Sequence, residues 1–279
     1  MKDEVITIHR AANLLRDCKS ILIGTGAGMG VDSGLPDFRG SEGFWKVYPP
    51  LKKLGLQFEE MANPRWFQKN PALAWGFYGH RFNLYRTTSP HRGYEILIQW
   101  IKEQKLDHFI FTSNVDSQFQ KAFFKEEKIL ECHGSLFRFQ CNENCGKPSW
   151  TPEFKDNINI DESTLLAKEP FPSCPACGRI ARPNILMFDD WSWDSRVTTE
   201  QNERFNSWLN QKREKLIILE IGAGTTIPRV RDICELVRDR HKATLIRINP
   251  RESMAEKNDI SIPLGAKQAL EKINQILEG

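Results

Sequence analysis

Four short apolar runs constrain this chain more than any other feature: 20–25 (SILIGT), 109–112 (FIFT), 216–221 (LIILEI) and 243–248 (ATLIRI). Each leads into small or polar residues, and the runs are apolar on both alternations, as strands buried on two faces are. Helical patterns lie between them, as in residues 4–17, where Val5, Ile8, Ala12 and Leu15 share one stripe. Such strands alternating with helices predict a doubly wound α/β fold, a parallel Rossmann-like sheet covered on both sides.

Two stretches break the rhythm. Residues 42–90 are rich in aromatics and helix formers, and Pro49, Pro50, Pro64 and Pro71 cut them into short helices. Residues 138–182 carry two cysteine pairs in a polar filler. The expected organisation is a sheet domain from 1–41, 91–137 and 183–279, a helical insertion at 42–90 and a small zinc-ribbon insertion at 138–182.

A length of 279 residues suffices for one sizeable core or two small domains. The net charge of +3 leaves no electrostatic footprint for nucleic acid. No apolar run reaches the length of a membrane span. The opening MKDEVITIHR lacks the basic, apolar, small-residue order of a secretory signal, so a cytoplasmic location is expected. The oligomeric state is open, and a monomer fits.

Of seven cysteines, Cys18, Cys132 and Cys234 stand alone in apolar segments and read as small buried hydrophobes. The other four pair up as Cys141-x3-Cys145 and Cys174-x2-Cys177. An odd total and this paired spacing argue against a disulfide framework. Four thiolates in two short pairs suit a tetrahedral, structural Zn²⁺, with Pro175 and Gly178 supplying a knuckle turn.

The first apolar run enters Gly24-Thr-Gly-Ala-Gly-Met-Gly, where a doubly wound fold places its ligand crevice. Glycines there let backbone approach phosphates. The spacing is not the G-x-G-x-x-G fingerprint, because Met29 and Val31 hold the places a third glycine would fill. A tight structural turn accounts for the glycines equally well.

The blocks that follow are more specific. Gly24–Gly40 reads GTGAGMGVDSGLPDFRG, and it resembles the first signature of the sirtuin family. Thr112-Ser-Asn-Val-Asp resembles the family's TQNID, and Glu131-Cys-His-Gly-Ser its LHGS block. The cysteine quartet resembles the family's zinc module, and Arg182-Pro-Asn-Ile-Leu-Met-Phe its RPxVVxF. Gly222-Ala-Gly and Ile248-Asn-Pro stand where the family has GTS and an IN dipeptide. The blocks keep the family's order and extend from about residue 20 to 266.

The resemblance implies NAD as co-substrate and an acyl-lysine protein or peptide as partner. In the family's reaction the acyl oxygen attacks C1′ of the nicotinamide ribose, nicotinamide leaves, and an O-alkylimidate forms. A base then activates a ribose hydroxyl, and water completes the release of lysine and O-acyl-ADP-ribose. His133 is the implied base, since an imidazole titrates near neutrality. Asn114 is implied to hold the nicotinamide ribose and Asp116 the carboxamide. An Asx turn opening a helix at Ser117 is the plainer role for the pair, and both can hold together.

The implied NAD-binding set includes Gly26, Ala27 and Gly28 in the first turn, and Ser113 and Val115 beside Asn114. Asp37, Phe38 and Arg39 would close over the nucleotide, although P-D-F-R alone reads as a surface turn. Gly222, Ala223 and Gly224 would meet the adenosine side, with Asn249, Pro250 and Arg251 near its ribose. Ile185 and Phe188 would border the peptide groove opposite 222–228.

Tyr78 and Arg81 lie two residues apart on one helix face, as in sirtuins that remove succinyl groups. Arg81 would pair with a distal carboxylate; the bland alternative packs the aromatic inward and leaves Arg81 at the surface. The expected activity is therefore deacetylation, with acidic acyl groups open through this pair. An ADP-ribosyltransferase, an NAD hydrolase or a non-catalytic NAD or ADP-ribose sensor are the alternatives.

The sequence departs from the family in several places. Ser113 replaces a glutamine and Gly30 a serine, Asp189-Asp190 replaces Gly-Glu, and Trp191-Ser-Trp193 has no counterpart. Gly222-Ala-Gly lacks the GTS hydroxyls, though Thr225 and Thr226 follow at once. Asp189, beside the expected groove, predicts a preference for basic sequences around the target lysine.

Overall fold

Each of the four apolar runs forms a strand. A computed structural model describes residues 2–37, 40–153, 157–211 and 215–279. The strands are β1 (Ser20–Thr25), β2 (Asp107–Thr112), β3 (Ile129–Glu131), β4 (Gly134–Cys141), β5 (Ile160–Asp161), β6 (Leu166–Ala167), β7 (Ala181–Ile185), β8 (Leu216–Ile221), β9 (Thr244–Ile248) and β10 (Ile260–Ile262). The helices are α1 (Lys2–Asp17), α2 (Gly40–Val47), α3 (Pro49–Lys53), α4 (Phe58–Met61), α5 (Trp66–Lys69), α6 (Pro71–Thr87), α7 (Arg92–Glu103), α8 (Gln118–Lys121), α9 (Arg196–Asn210), α10 (Arg229–His241) and α11 (Ala266–Glu278).

Six strands make one sheet in the order β10-β9-β8-β1-β2-β3, and every pairing in it is parallel. β1 and β8 are buried at all six positions, as the absence of a polar face requires. Successive side chains point to opposite faces. Ile21 and Ile23 join a core with α1, α7 and α11, while Leu22 joins another with α9 and α10. β3 and β10 were not visible as apolar runs, because three residues are too few to display a period.

The lone cysteines behave as small apolar groups. Cys18 and Cys234 are core residues, and Cys132 packs against the core shared by α9 and α10. Burial pushes the Cys18 thiol up to about 11 and the Cys132 thiol up to about 12. None of them is a ready nucleophile.

The helical stretch and the cysteine-bearing stretch share a third core. Phe44, Tyr48, Phe67, Trp75, Phe77 and Tyr78 pack there with Leu136 and Phe139 of β4 and Ile185 of β7. The prolines act as helix starts: Pro49 opens α3, and Pro71 opens α6 behind an Asn70 cap that accepts from Leu73 N–H. β4 and β7 pair antiparallel from Gly134↔Ile185 to Cys141↔Ala181, crossing the boundaries expected at 138 and 182. Among the described residues no helix is long and apolar enough to cross a membrane.

Candidate active site

The sheet order reverses between β1 and β8, and ligands of such folds bind outside the strand ends at that point. The two turns that leave these strands lie backbone against backbone. A Cβ on Gly26 would sit 2.7 Å from Gly222 O, and one on Gly28 2.7 Å from Gly222 Cα. Gly222 has φ +64°, and its own Cβ would meet Gly28 C at 2.4 Å. The Gly26 and Gly28 N–H groups donate to Ile221 O (3.1 Å) and Gly222 O (3.0 Å). These glycines therefore serve close approach of the two turns, and their N–H groups are not aimed at a phosphate. Ala27 is left at the exposed crest.

A cleft of about 720 Å³ opens above this junction, within the usual span of small-molecule sites. Gly26, Ala27, Gly28, Asp37, Ser113, Asn114, Val115, Asp116 and His133 line it, and Tyr78 and Arg81 reach it from α6. Gly222, Ala223, Gly224, Asn249, Pro250 and Arg251 line it from the facing turns, together with Ile185 and Phe188. The expected Phe38 and Arg39 contacts lie outside the described residues.

Asn114 follows β2. Its N–H donates to Thr112 Oγ1 (3.0 Å) and its Nδ2 to Gly26 O (3.0 Å), which ties the second strand to the glycine turn. Asp116 is buried, and its Oδ1 accepts from Gln118 N–H (3.0 Å), the Asx turn expected there. Ser117 does not cap α8. It takes φ +53° and places its hydroxyl on Ser135 Oγ at 3.2 Å. Burial pushes the Asp116 carboxyl up to about 6, against the pull of the Gln118 N–H and the Lys121 and Arg81 charges.

His133 occupies the turn between β3 and β4. Its carbonyl accepts from Leu186 N–H at 2.9 Å. Gly134 behind it has φ +76°, and a Cβ there would lie 2.1 Å from Asn184 O, so the turn needs glycine. Burial lowers the imidazole pKa, a bond to the Ser113 backbone opposes that, and the Arg229 charge adds to it. The ring is thus held neutral at neutral pH, the form a general base requires.

Asn249 is a clasp. Its Nδ2 donates to Ala223 O (2.9 Å), and its Oδ1 accepts from the Arg251 and Glu252 N–H groups, both at 3.0 Å. Arg231 donates to the same Ala223 carbonyl through Nε (3.2 Å) and Nη2 (3.1 Å). The turn after β8 is therefore tied to the loop after β9 by side-chain bonds.

Tyr78 and Arg81 share one face of α6, as their spacing implies, but Arg81 is not at the surface: it is only 7% exposed. Its guanidinium lies 5.4 Å from the Phe77 and Tyr85 rings and 5.9 Å from Tyr78, and its Nε donates to Tyr85 Oη at 3.2 Å. Sequence reading missed Tyr85. It also missed Asp190, whose carboxylate makes two 2.8 Å bonds to Arg182 with both side chains fully buried. Asp189 stands on the rim with φ +54° and accepts from Asn63 Nδ2 at 3.3 Å.

The sulfurs of Cys141, Cys145, Cys174 and Cys177 lie within 4.8 Å of one another, with Cys141–Cys177 and Cys145–Cys174 at 3.6 Å. A tetrahedral zinc with thiolates at about 2.3 Å sets sulfurs about 3.8 Å apart, so the donor set fits that ion. Gly178, with φ +72°, returns its N–H to Cys174 O at 2.8 Å and forms the knuckle. All four positions of a tetrahedron are protein ligands, which makes the metal structural. About one zinc per chain is expected by atomic absorption, and Cys174→Ser should lose it and lower the melting temperature. Wild-type protein without bound metal, or a zinc-loaded Cys174→Ser, would overturn that assignment.

The chain belongs to the Sir2 family, whose model matches residues 26–223. A curated NAD-dependent protein deacylase of Leptospira interrogans is 30% identical over 256 residues, 91% of this chain and 92% of that protein. One of Caldanaerobacter subterraneus, NAD-dependent protein deacylase 1, is 29% identical over 252 residues, 90% and 91%. One of Pyrococcus abyssi is 31% identical over 183 residues, 66% of each chain. A solved Sir2 homologue–NAD complex superposes with a TM-score of 0.73 at 22% identity, over 96% of this chain and 93% of that one, and shows the shared fold.

Proposed function

We propose that this protein is an NAD-dependent protein lysine deacylase, with His133 as the general base. The observation that carries this reading is convergence. A neutral imidazole, Asn114, Asp116 and both glycine turns line one cleft at the point where the strand order reverses. NAD, when bound, supplies the electrophilic ribose carbon that captures the acyl group. Asn114 and Asp116 would hold the nicotinamide end, and the turn clasped by Asn249 the adenosine end. Tied to Gly26 O, Asn114 presents its amide from a fixed position. Neutral His133 would take the ribose-hydroxyl proton. The acyl-lysine segment would add as a strand between 185–188 and 222–228.

The same reading assigns the sheet domain to 1–41, 91–137 and 183–279, the helical insertion to 42–90 and the zinc insertion to 138–182. Four thiolates poised for zinc and three unpaired cysteines suit a reducing, cytoplasmic setting. A buried Arg81 lining the cleft supports removal of acidic acyl groups as well as acetyl.

The test is nicotinamide release from NAD with acetyl-lysine or succinyl-lysine peptides, with O-acyl-ADP-ribose followed by mass spectrometry. Release that requires a peptide supports the deacylase. Arg81→Met should depress succinyl turnover more than acetyl turnover. Release without any peptide would move the assignment to a hydrolase or transferase, and binding without release to a sensor.

A further inference from the structure

The first glycine turn continues as two consecutive 3-10 turns, Ala27–Met29 and Val31–Ser33, and most of its carbonyls are used locally. Gly26 O accepts from Met29 N–H and Asn114 Nδ2, Ala27 O from Gly30 N–H, Gly30 O from Ser33 and Leu35 N–H, and Val31 O from Gly34 N–H. Met29 O instead meets a side chain 62 positions away, His91 Nε2, at 2.9 Å.

His91 caps α7, and it is 7% exposed. Its Nδ1 accepts from Gly93 N–H at 3.0 Å, while its own N–H donates to Ser33 Oγ at 2.9 Å. A backbone N–H pointing at Nδ1 fixes the tautomer: Nδ1 carries the lone pair, and Nε2 carries the proton given to Met29 O. Asp32 makes a second tie, accepting from Lys267 N–H at 2.8 Å in the first turn of α11. α7 and α11 pack on each other in the main core, so the loop hangs from two fixed helix starts.

From this geometry we infer that His91 is a positioning residue for the NAD loop, holding Ala27–Asp37 in its binding shape through the Nε2–H bond to Met29 O. The inference rests on the NAD reading of the cleft. A proton added at Nδ1 would face the Gly93 N–H and break the cap. It would also place positive charge at a helix N-terminus, where charge of that sign is disfavoured. Met29 O, Asp32 and Glu271 face the ring and favour protonation, and Lys267 opposes it together with burial. Burial is the largest of these influences and lowers the pKa, so the helix cap is intact at neutral pH, while the Nε2–H bond to Met29 O is compatible with either protonation state.

The experiment compares wild type, His91→Asn and His91→Gln by NAD titration calorimetry, thermal melting and amide exchange of residues 27–34. Asparagine keeps the helix cap but cannot reach Met29 O. His91→Asn should melt near wild type, bind NAD about fivefold more weakly at about pH 7, and exchange faster through the loop. His91→Gln, whose amide reaches the Nε2 position, should recover most of the affinity. Equal affinity in His91→Asn would overturn the inference, as would a lower melting point with the loop unaltered. If wild type binds no NAD but loop exchange still rises in His91→Asn, the clamp stands and the NAD reading fails.

Discussion

Replacing His133 with alanine is expected to lower acyl-peptide-dependent NAD consumption about 100- to 10,000-fold, the usual contribution of a positioned general base. Three features make the effect specific. The ring is held neutral by burial, so its loss removes a prepared base. The backbone bond from Leu186 N–H to His133 O does not depend on the side chain, so the rim of the cleft should persist. Cys132 cannot substitute, because burial pushes its thiol up to about 12. NAD affinity by calorimetry should stay within about threefold of wild type, since the lost interaction belongs to the transition state.

The pH dependence has a definite sign. The useful form of His133 is neutral, and its pKa lies below the ordinary histidine value, so activity should already be on its plateau at neutral pH. It should fall as pH drops through that pKa. Asp116, pushed up to about 6, loses its charge over a nearby range and steepens the decline. In His133→Ala the residual rate should keep only the Asp116 component. A variant with wild-type turnover, or with an unchanged acid limb, would exclude His133 as the base.

Much of this site could be read before the structure, for a physical reason. Strand β1, Gly26–Gly28, Asn114, Asp116 and His133 sit in short contiguous blocks, and each block carries its own local chemistry. The purpose of a residue was harder to read than its presence. The glycines of the first turn suggested phosphate contact, yet their missing Cβ atoms admit the backbone of Gly222, 194 positions away by numbering (222 − 28). Asn249 looked like a ribose ligand, and its amide proves to be spent on Ala223, Arg251 and Glu252. The environment of Arg81 stayed open, because helical spacing sets a face without saying what covers it. His91 gave no signal, and Asp190 showed only as a departure from the family without its role, since their partners, Met29 O and Arg182, are chosen by tertiary structure.

Asp190→Ala should be the most destabilising single change in the rim of the cleft. Both members of the Arg182–Asp190 pair are 0% exposed at the side chain, and two bonds of 2.8 Å join them. The carboxylate also accepts from Ser192 N–H and Ser192 Oγ, both at 3.2 Å, so it organises the loop that follows Asp189. Removing it leaves a guanidinium buried without its counter-charge, a loss of about 3–5 kcal/mol. For a chain of this size that corresponds to a melting temperature lower by about 10 °C. A buried pair need not be a net gain over apolar packing, however, and Arg182 Nε has no hydrogen-bond partner among the described residues. Arg182→Met combined with Asp190→Leu should therefore be less destabilised than Asp190→Ala alone, because neither charge is then stranded. The single variant should also raise KM for the acyl-peptide more than it weakens NAD, since the loop borders the proposed peptide groove and not the turn clasped by Asn249. Asp190→Ala melting with wild type would mean that the pair is not shut away from water, and a double variant worse than the single would show that the ion pair itself holds the rim.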